Sequence, residues 1–71
     1  MYIVIELQIN DAGEFGNLVW SFQTLPEAEN KYHTVLAYAA ISGLPVHGAV
    51  IITSDGQLVQ SQCYKRDGGE S

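Results

Sequence analysis

The chain has 71 residues, enough for one hydrophobic core and too few for two, so a multi-domain enzyme is excluded. Apolar residues make up 46% and charged residues 15%, which places the chain among globular rather than disordered compositions. Eight acidic residues against three basic ones give a formal charge of −5, and the one basic pair, Lys65-Arg66, is followed by Asp67. Counterion release needs clustered Lys and Arg, so direct nucleic-acid binding is not expected.

Residues 2–9 alternate Ile3, Ile5, Leu7 and Ile9 with Tyr2, Val4, Glu6 and Gln8, a strand pattern with one wholly apolar side that is expected to face the core. The run from Asn10 to Gly16 carries turn residues, and Leu18, Trp20 and Phe22 then alternate with Val19, Ser21 and Gln23 to complete a hairpin. Leu18, Trp20 and Phe22 are expected to turn to the core.

Thr24-Leu25-Pro26-Glu27 reads as a helix start, with Thr24 and Glu27 placed for a capping box and Pro26 where no amide partner is needed. The helix is expected to run to about Ser42 with Leu25, Ala28, Tyr32, Val35, Leu36 and Ala39 on its inner stripe. Glu27 and Lys31 have the spacing of a favourable surface pair. Gly43 can end the helix in the left-handed conformation, and Pro45 bars continuation.

Residues 46–53 and 57–64 flank Ser54-Asp55-Gly56, a second hairpin. A two-residue Asp-Gly turn points Val46, Val50 and Ile52 inward, whereas a three-residue turn with a glycine bulge points Ala49 and Ile51 inward. The first is favoured because it buries more volume. Val59, Ser61 and Cys63 are placed inward and Gln60 and Gln62 outward.

The order strand-strand-helix-strand-strand predicts an α+β fold of ββαββ type, a mainly antiparallel four-stranded sheet with one helix packed on one face. Residues 1–64 form the single domain and 65–71 a flexible polar tail. Strands one and three are apolar on both sides, which favours the strand order 2-1-3-4 over 2-1-4-3. A helix roughly 27 Å long covers one side only. The other is expected to expose Tyr2, Val4, Val19, Ile51, Leu58 and Tyr64, a candidate interface. Ala37, Tyr38 and Ile41 form a second candidate patch outside the helix's inner stripe.

No catalytic, cofactor-binding or metal site is expected. Cys63 with His33 or His47 has no nucleophile-base or zinc-ligand spacing, and a lone cysteine is more often a buried, inert core residue. One cysteine rules out an intramolecular disulfide, and the start Met1-Tyr2-Ile3-Val4-Ile5-Glu6 lacks the pattern of a signal peptide or membrane span. A cytoplasmic protein without membrane association is therefore expected. Glu6, Asp11, Glu14, Glu27, Glu29, Asp55, Asp67 and Glu70 allow an alternative, an acidic inhibitor that mimics nucleic-acid charge on a host enzyme, although most of them have local helix or turn roles. The leading expectation is a non-catalytic protein-protein interaction module, a homodimer through the bare sheet side.

The run Glu27-Ala28-Glu29-Asn30-Lys31-Tyr32-His33, the stretch Leu44-Pro45-Val46-His47 and the pair Cys63-Tyr64 resemble short uncharacterised proteins encoded on conjugative elements and prophages of Firmicutes. The resemblance covers nearly the whole chain short of the tail. It implies an accessory role for a mobile genetic element, and no mechanism, cofactor or functional residue.

Overall fold

The computed structural model describes residues 1–65. Its elements are β1 (Tyr2–Ile9), β2 (Phe15–Phe22), α1 (Leu25–Ile41), β3 (Val46–Thr53) and β4 (Leu58–Lys65). The strands form one sheet of order β2-β1-β3-β4 in which every neighbouring pair is antiparallel, and α1 packs on one side of it. This is the expected ββαββ architecture. β4 takes in Lys65, and the rest of the expected tail, 66–71, lies outside the described residues.

Both hairpins close with the same loop. In the first, the Asn10 N–H donates to the Glu14 carbonyl at 3.1 Å and the Gly13 N–H to the Asn10 carbonyl at 2.9 Å, with Gly13 at φ 82°. In the second, the Thr53 N–H donates to the Gln57 carbonyl at 2.9 Å and the Gly56 N–H to the Thr53 carbonyl at 2.9 Å, with Gly56 at φ 91°. Each is a three-residue loop ending in a left-handed glycine, the second commonest hairpin design. The opening residue adds a side-chain acceptor: Asn10 Oδ1 takes the Glu14 N–H at 2.9 Å and Thr53 Oγ1 the Gln57 N–H at 3.0 Å. The two-residue Asp55-Gly56 turn is thus replaced by the three-residue alternative, because Thr53 can stabilise it. Ala49 and Ile51 point inward, but β4 leaves the register of this loop at a shift between Ile51 and Ile52, which sets Ser61 opposite Val50 and Cys63 opposite Gly48, the pairing a two-residue turn would give.

The sides of the sheet are assigned by pairing, since residues directly opposite in an antiparallel ladder share a side. Ile9 faces Phe15 and Ile5 faces Val19, so the odd residues of β1 lie with the odd residues of β2, and Trp20 stands opposite Val4. Trp20 and Phe22 do turn to the core, as expected, but on the side of Val4 rather than that of Ile3 and Ile5, while Leu18, opposite Glu6, stays exposed. The same parity corrects the core. Val4 and Ile51 are fully buried under α1 with Ala49, while Val46, Val50 and Ile52 share the far side with Ile3, Ile5, Leu7 and Ile9.

Chirality explains why the helix takes the less aliphatic side. β2 and β3 are both antiparallel to β1 and therefore run parallel to each other, which makes α1 a crossover connection between parallel strands. Such connections have a nearly invariant right hand, so the side α1 covers follows from chain path, and apolar content has little say.

The helix bears Ala28, Tyr32, Val35 and Ala39 on its buried stripe, as the spacing predicted. Its ends differ in detail. Thr24 has extended backbone (φ −123°, ψ 155°) and its carbonyl accepts the Ala28 N–H at 3.2 Å, but its side chain makes no cap bond, and the start rests on backbone geometry and Pro26. At the other end Ser42 turns extended (φ −71°, ψ 147°) and its Oγ accepts the Leu44 N–H at 3.0 Å. That hydroxyl does the work expected of a left-handed Gly43, which has no positive φ. Lys31 does not form the surface pair with Glu27: its Nζ lies 4.1 Å from the centre of the Trp20 ring, a cation-π contact that also covers the indole.

The core between helix and sheet is thin. Among the described residues its buried apolar members are Val4, Ala28, Tyr32, Val35, Ala39, Ala49 and Ile51, three of them alanines, with Tyr2, Trp20, Phe22, Leu36 and Val59 packed around them. The alanines let α1 lie close to β1 and β3, and the rings of β2 and α1 fill the margin.

Candidate interaction surface

The side of the sheet away from α1 is a grid of four rows read from β2 to β4. The rows are Phe15–Ile9–Val46–Lys65, Asn17–Leu7–Gly48–Cys63, Val19–Ile5–Val50–Ser61 and Ser21–Ile3–Ile52–Leu58. The two central strands contribute seven aliphatic residues and one glycine. Polar residues are confined to the outer strands, and Lys65 at one corner is the only formal charge. No other element of the described residues covers this grid. It therefore has the arrangement of a protein interface, an uncharged apolar centre with a polar margin.

Gly48 is the one gap in the centre. A Cβ built there would lie 2.5 Å from the Gln62 carbonyl oxygen and 2.8 Å from Cys63 Cα, so β4 is too close for any side chain. Gly48 is itself buried, with Gln62 and Cys63 of β4 filling the space a side chain would take.

Of the residues proposed from sequence as an interface, Val19 and Leu58 do lie on this side and are 59% and 65% exposed. Val4 and Ile51 are corrected to the core, and Tyr2 and Tyr64 to the helix side, Tyr2 partly buried against Phe22 and Trp20 and Tyr64 opposite His47. Ala37, Tyr38 and Ile41 are exposed on α1, Tyr38 and Ile41 at 66% and 82%. Cys63, expected inside, is exposed at the margin of the grid, because the side it shares with Val50 and Ile52 is the uncovered one.

Sequence reading missed a polar cluster on the helix side. Glu6 and His47 are both buried, joined by a contact of 2.5 Å between Glu6 Oε2 and His47 Nε2, and Gln8 Nε2 donates to the same carboxylate oxygen at 3.0 Å. His47 Nδ1 is buried with no hydrogen-bond partner. The signal available was that Glu6 and Gln8 share a strand side with Val4, which a core on that side must bury. Beyond the pair stand Tyr32 and Tyr64. Burial pushes the Tyr32 phenol above its ordinary range, and the neighbouring Tyr64 pushes it the same way.

Three of the other acidic side chains have hydrogen-bond partners. Glu14 accepts from Asn10 Nδ2 at 3.0 Å, Glu29 from Gln60 Nε2 at 3.2 Å, and Asp55 from the Thr53 hydroxyl. Among the described residues no three His, Cys, Asp or Glu side chains converge as metal ligands, and no helix is long and apolar enough to cross a membrane. Comparison with family models, curated proteins and solved structures finds no match to this chain.

Proposed function

We infer that this chain is a non-catalytic protein-protein interaction module that engages its partner through the uncovered side of its sheet. One observation carries the reading: α1 covers the side built on Val4, Ala49 and Ile51, and the bulkier aliphatic set of Ile3, Ile5, Leu7, Ile9, Val46, Val50 and Ile52 has no covering element among the described residues. Apolar patches of that extent on a small soluble domain mark contact surfaces. Its cytoplasmic placement is supported by the lone cysteine. An accessory role for a mobile element follows from the resemblance.

The test is affinity capture from extract of the source cells with the wild-type chain and with Val50→Asp as baits. A chain retained by wild type and lost by the variant, a copy of the bait included, supports the reading. Equal retention by both baits, or capture by neither, rejects it.

A further inference from the structure

We propose that β2 is a strand-pairing edge and that it pairs with β2 of a second copy of this chain, antiparallel and centred on Leu18, joining the two sheets edge to edge. The pairing uses the rim of the sheet, away from its uncovered side, and goes beyond the interaction reading above.

The main chain decides what kind of group fits. Asn10 and Glu14 are joined by a main-chain bond, and hydrogen-bonded pairs recur at every second position of an antiparallel ladder, so Gly16, Leu18, Trp20 and Phe22 aim their N–H and C=O groups at β1. Phe15, Asn17, Val19 and Ser21 aim theirs outward, where no strand lies beside them among the described residues. Such a row is a template for a further strand.

Native sheets blunt their edges with charge, proline or a bulge. β4 is blunted by the register shift opposite Ile51 and Ile52 and by Lys65. β2 pairs over eight residues in unbroken register and contains no charged residue and no proline. It exposes Leu18 on the helix side and Phe15 and Val19 on the far side, so an added strand covers apolar surface on both.

The same geometry fixes the register. With Leu18 opposite the partner's Leu18, Asn17 meets Val19, Phe15 meets Ser21, and every outward group of both strands is paired. A slip of one residue sets outward groups against inward ones. A slip of two sets Ser21 against the Gly13 turn or Phe15 against Gln23 beyond the strand.

Side chains on the helix side select an identical strand. Trp20 stands opposite the partner's Gly16, where a Cβ would have nothing within 4 Å, and an aromatic ring laid across a cross-strand glycine fills that space and pins the register. Leu18, exposed in the single chain, meets its counterpart at a pair where side chains approach most closely. Lys31 lies over Trp20 without a carboxylate partner among the described residues, and the partner's Glu14, next after Gly16 on that side, comes within diagonal reach. A glycine, a leucine and a carboxylate are thus wanted at fixed spacing, and β2 with its loop carries all three. The two-fold axis is perpendicular to the sheet, so both helices lie on one side. α1 packs chiefly on β3 and β1, which leaves the helix axes roughly 19 Å apart at roughly 4.8 Å per strand, clear of each other.

Sedimentation velocity and amide exchange on the full chain test the pairing. Wild type is expected to dimerise as concentration rises, with the Asn17 and Val19 amides slowed at high concentration and fast at low. Leu18→Lys and Leu18→Glu, at an exposed position, are each expected to weaken the dimer by roughly tenfold or more, and an equimolar mixture of the two to restore it, because residue 18 meets only its counterpart. Asn17→Pro removes an outward N–H and no ladder bond, so a folded monomer is expected.

Wild type that stays monomeric at millimolar concentration overturns the proposal, and so does a dimer whose Asn17 and Val19 amides exchange as fast as in the monomer. A dimer that either folded Leu18 variant forms by itself as well as wild type overturns the register. Should those variants fail to fold, the amide pattern of wild type decides. Val50→Asp, on the uncovered side, is expected to leave the dimer intact, so the capture experiment and the edge pairing fail separately.

Discussion

Ile51 and Ile52 are adjacent in β3, chemically identical and on opposite sides of the sheet, so truncating each in turn measures which side holds the monomer together. Ile51 has no exposed surface and lies under α1 among Val4, Ala28 and Tyr32. Ile51→Ala removes about three methylene equivalents, worth about 2.4 kcal/mol in transfer. The fixed neighbours cannot collapse fully, and the residual cavity brings the cost to about 3–4 kcal/mol. A domain of this length has roughly 4–10 kcal/mol in all, at 0.05–0.15 kcal/mol per residue, so the variant loses a third of its stability or more. Ile52 is partly exposed on the uncovered side, and Ile52→Ala should cost the isolated monomer about 1 kcal/mol. Urea unfolding followed by Trp20 fluorescence, repeated over a hundredfold range of protein concentration, separates the two. The Ile51 loss should be the larger at every concentration. Equal losses at the lowest concentration, or a larger one for Ile52, would refute the assignment of sides.

Three further outcomes follow from particular contacts. Glu6→Ala strands His47 in a buried site and is expected to cost about 3 kcal/mol or more, whereas the double change Glu6→Leu with His47→Leu should cost less than the two single changes together; additive losses in urea unfolding would show that the pair is uncoupled. Tyr32 has a raised pKa in the folded state, so its contribution is intact below the ordinary tyrosine value of about 10 and is lost as pH rises from there through the folded value. Melting temperature should therefore fall more steeply above pH 10 in wild type than in Tyr32→Phe, and parallel curves would contradict the burial argument. Gly48→Ala forces β4 away from β3 and should lower the melting temperature sharply, while Gly16→Ala, with open space at its Cβ and no positive φ, should be neutral or slightly stabilising.

The elements, their order and the buried stripe of α1 were legible in the sequence because each is a local property. Alternation of period 2, the Pro26 start and the glycine-bearing loops depend on residues a few positions apart, and the ladder order followed from two strands apolar on both sides. The central strands' double apolarity also announced that one helix could not satisfy the sheet.

What the sequence did not resolve was which apolar side α1 would take, and with it the places of Val4, Ile51, Cys63, Tyr2 and Tyr64. Two facts of register and chain path decide that. Loop geometry at Asn10 sets the pairing parity of the first hairpin, and in the second a register shift between Ile51 and Ile52 resets the parity begun by the Thr53 loop and so places Cys63 and Tyr64. The hand of the crossover from β2 to β3 then sets the side on which the helix lies. Neither is a sum of residue preferences, so counting apolar residues chose the wrong side. The Glu6–His47 contact spans 41 positions and exists only because β1 and β3 pair in one register, which brings the two side chains together under the helix. Composition and local pattern determine that this chain is a four-stranded sheet with a helix; the register and the hand of its connections decide which surface is core and which is left uncovered.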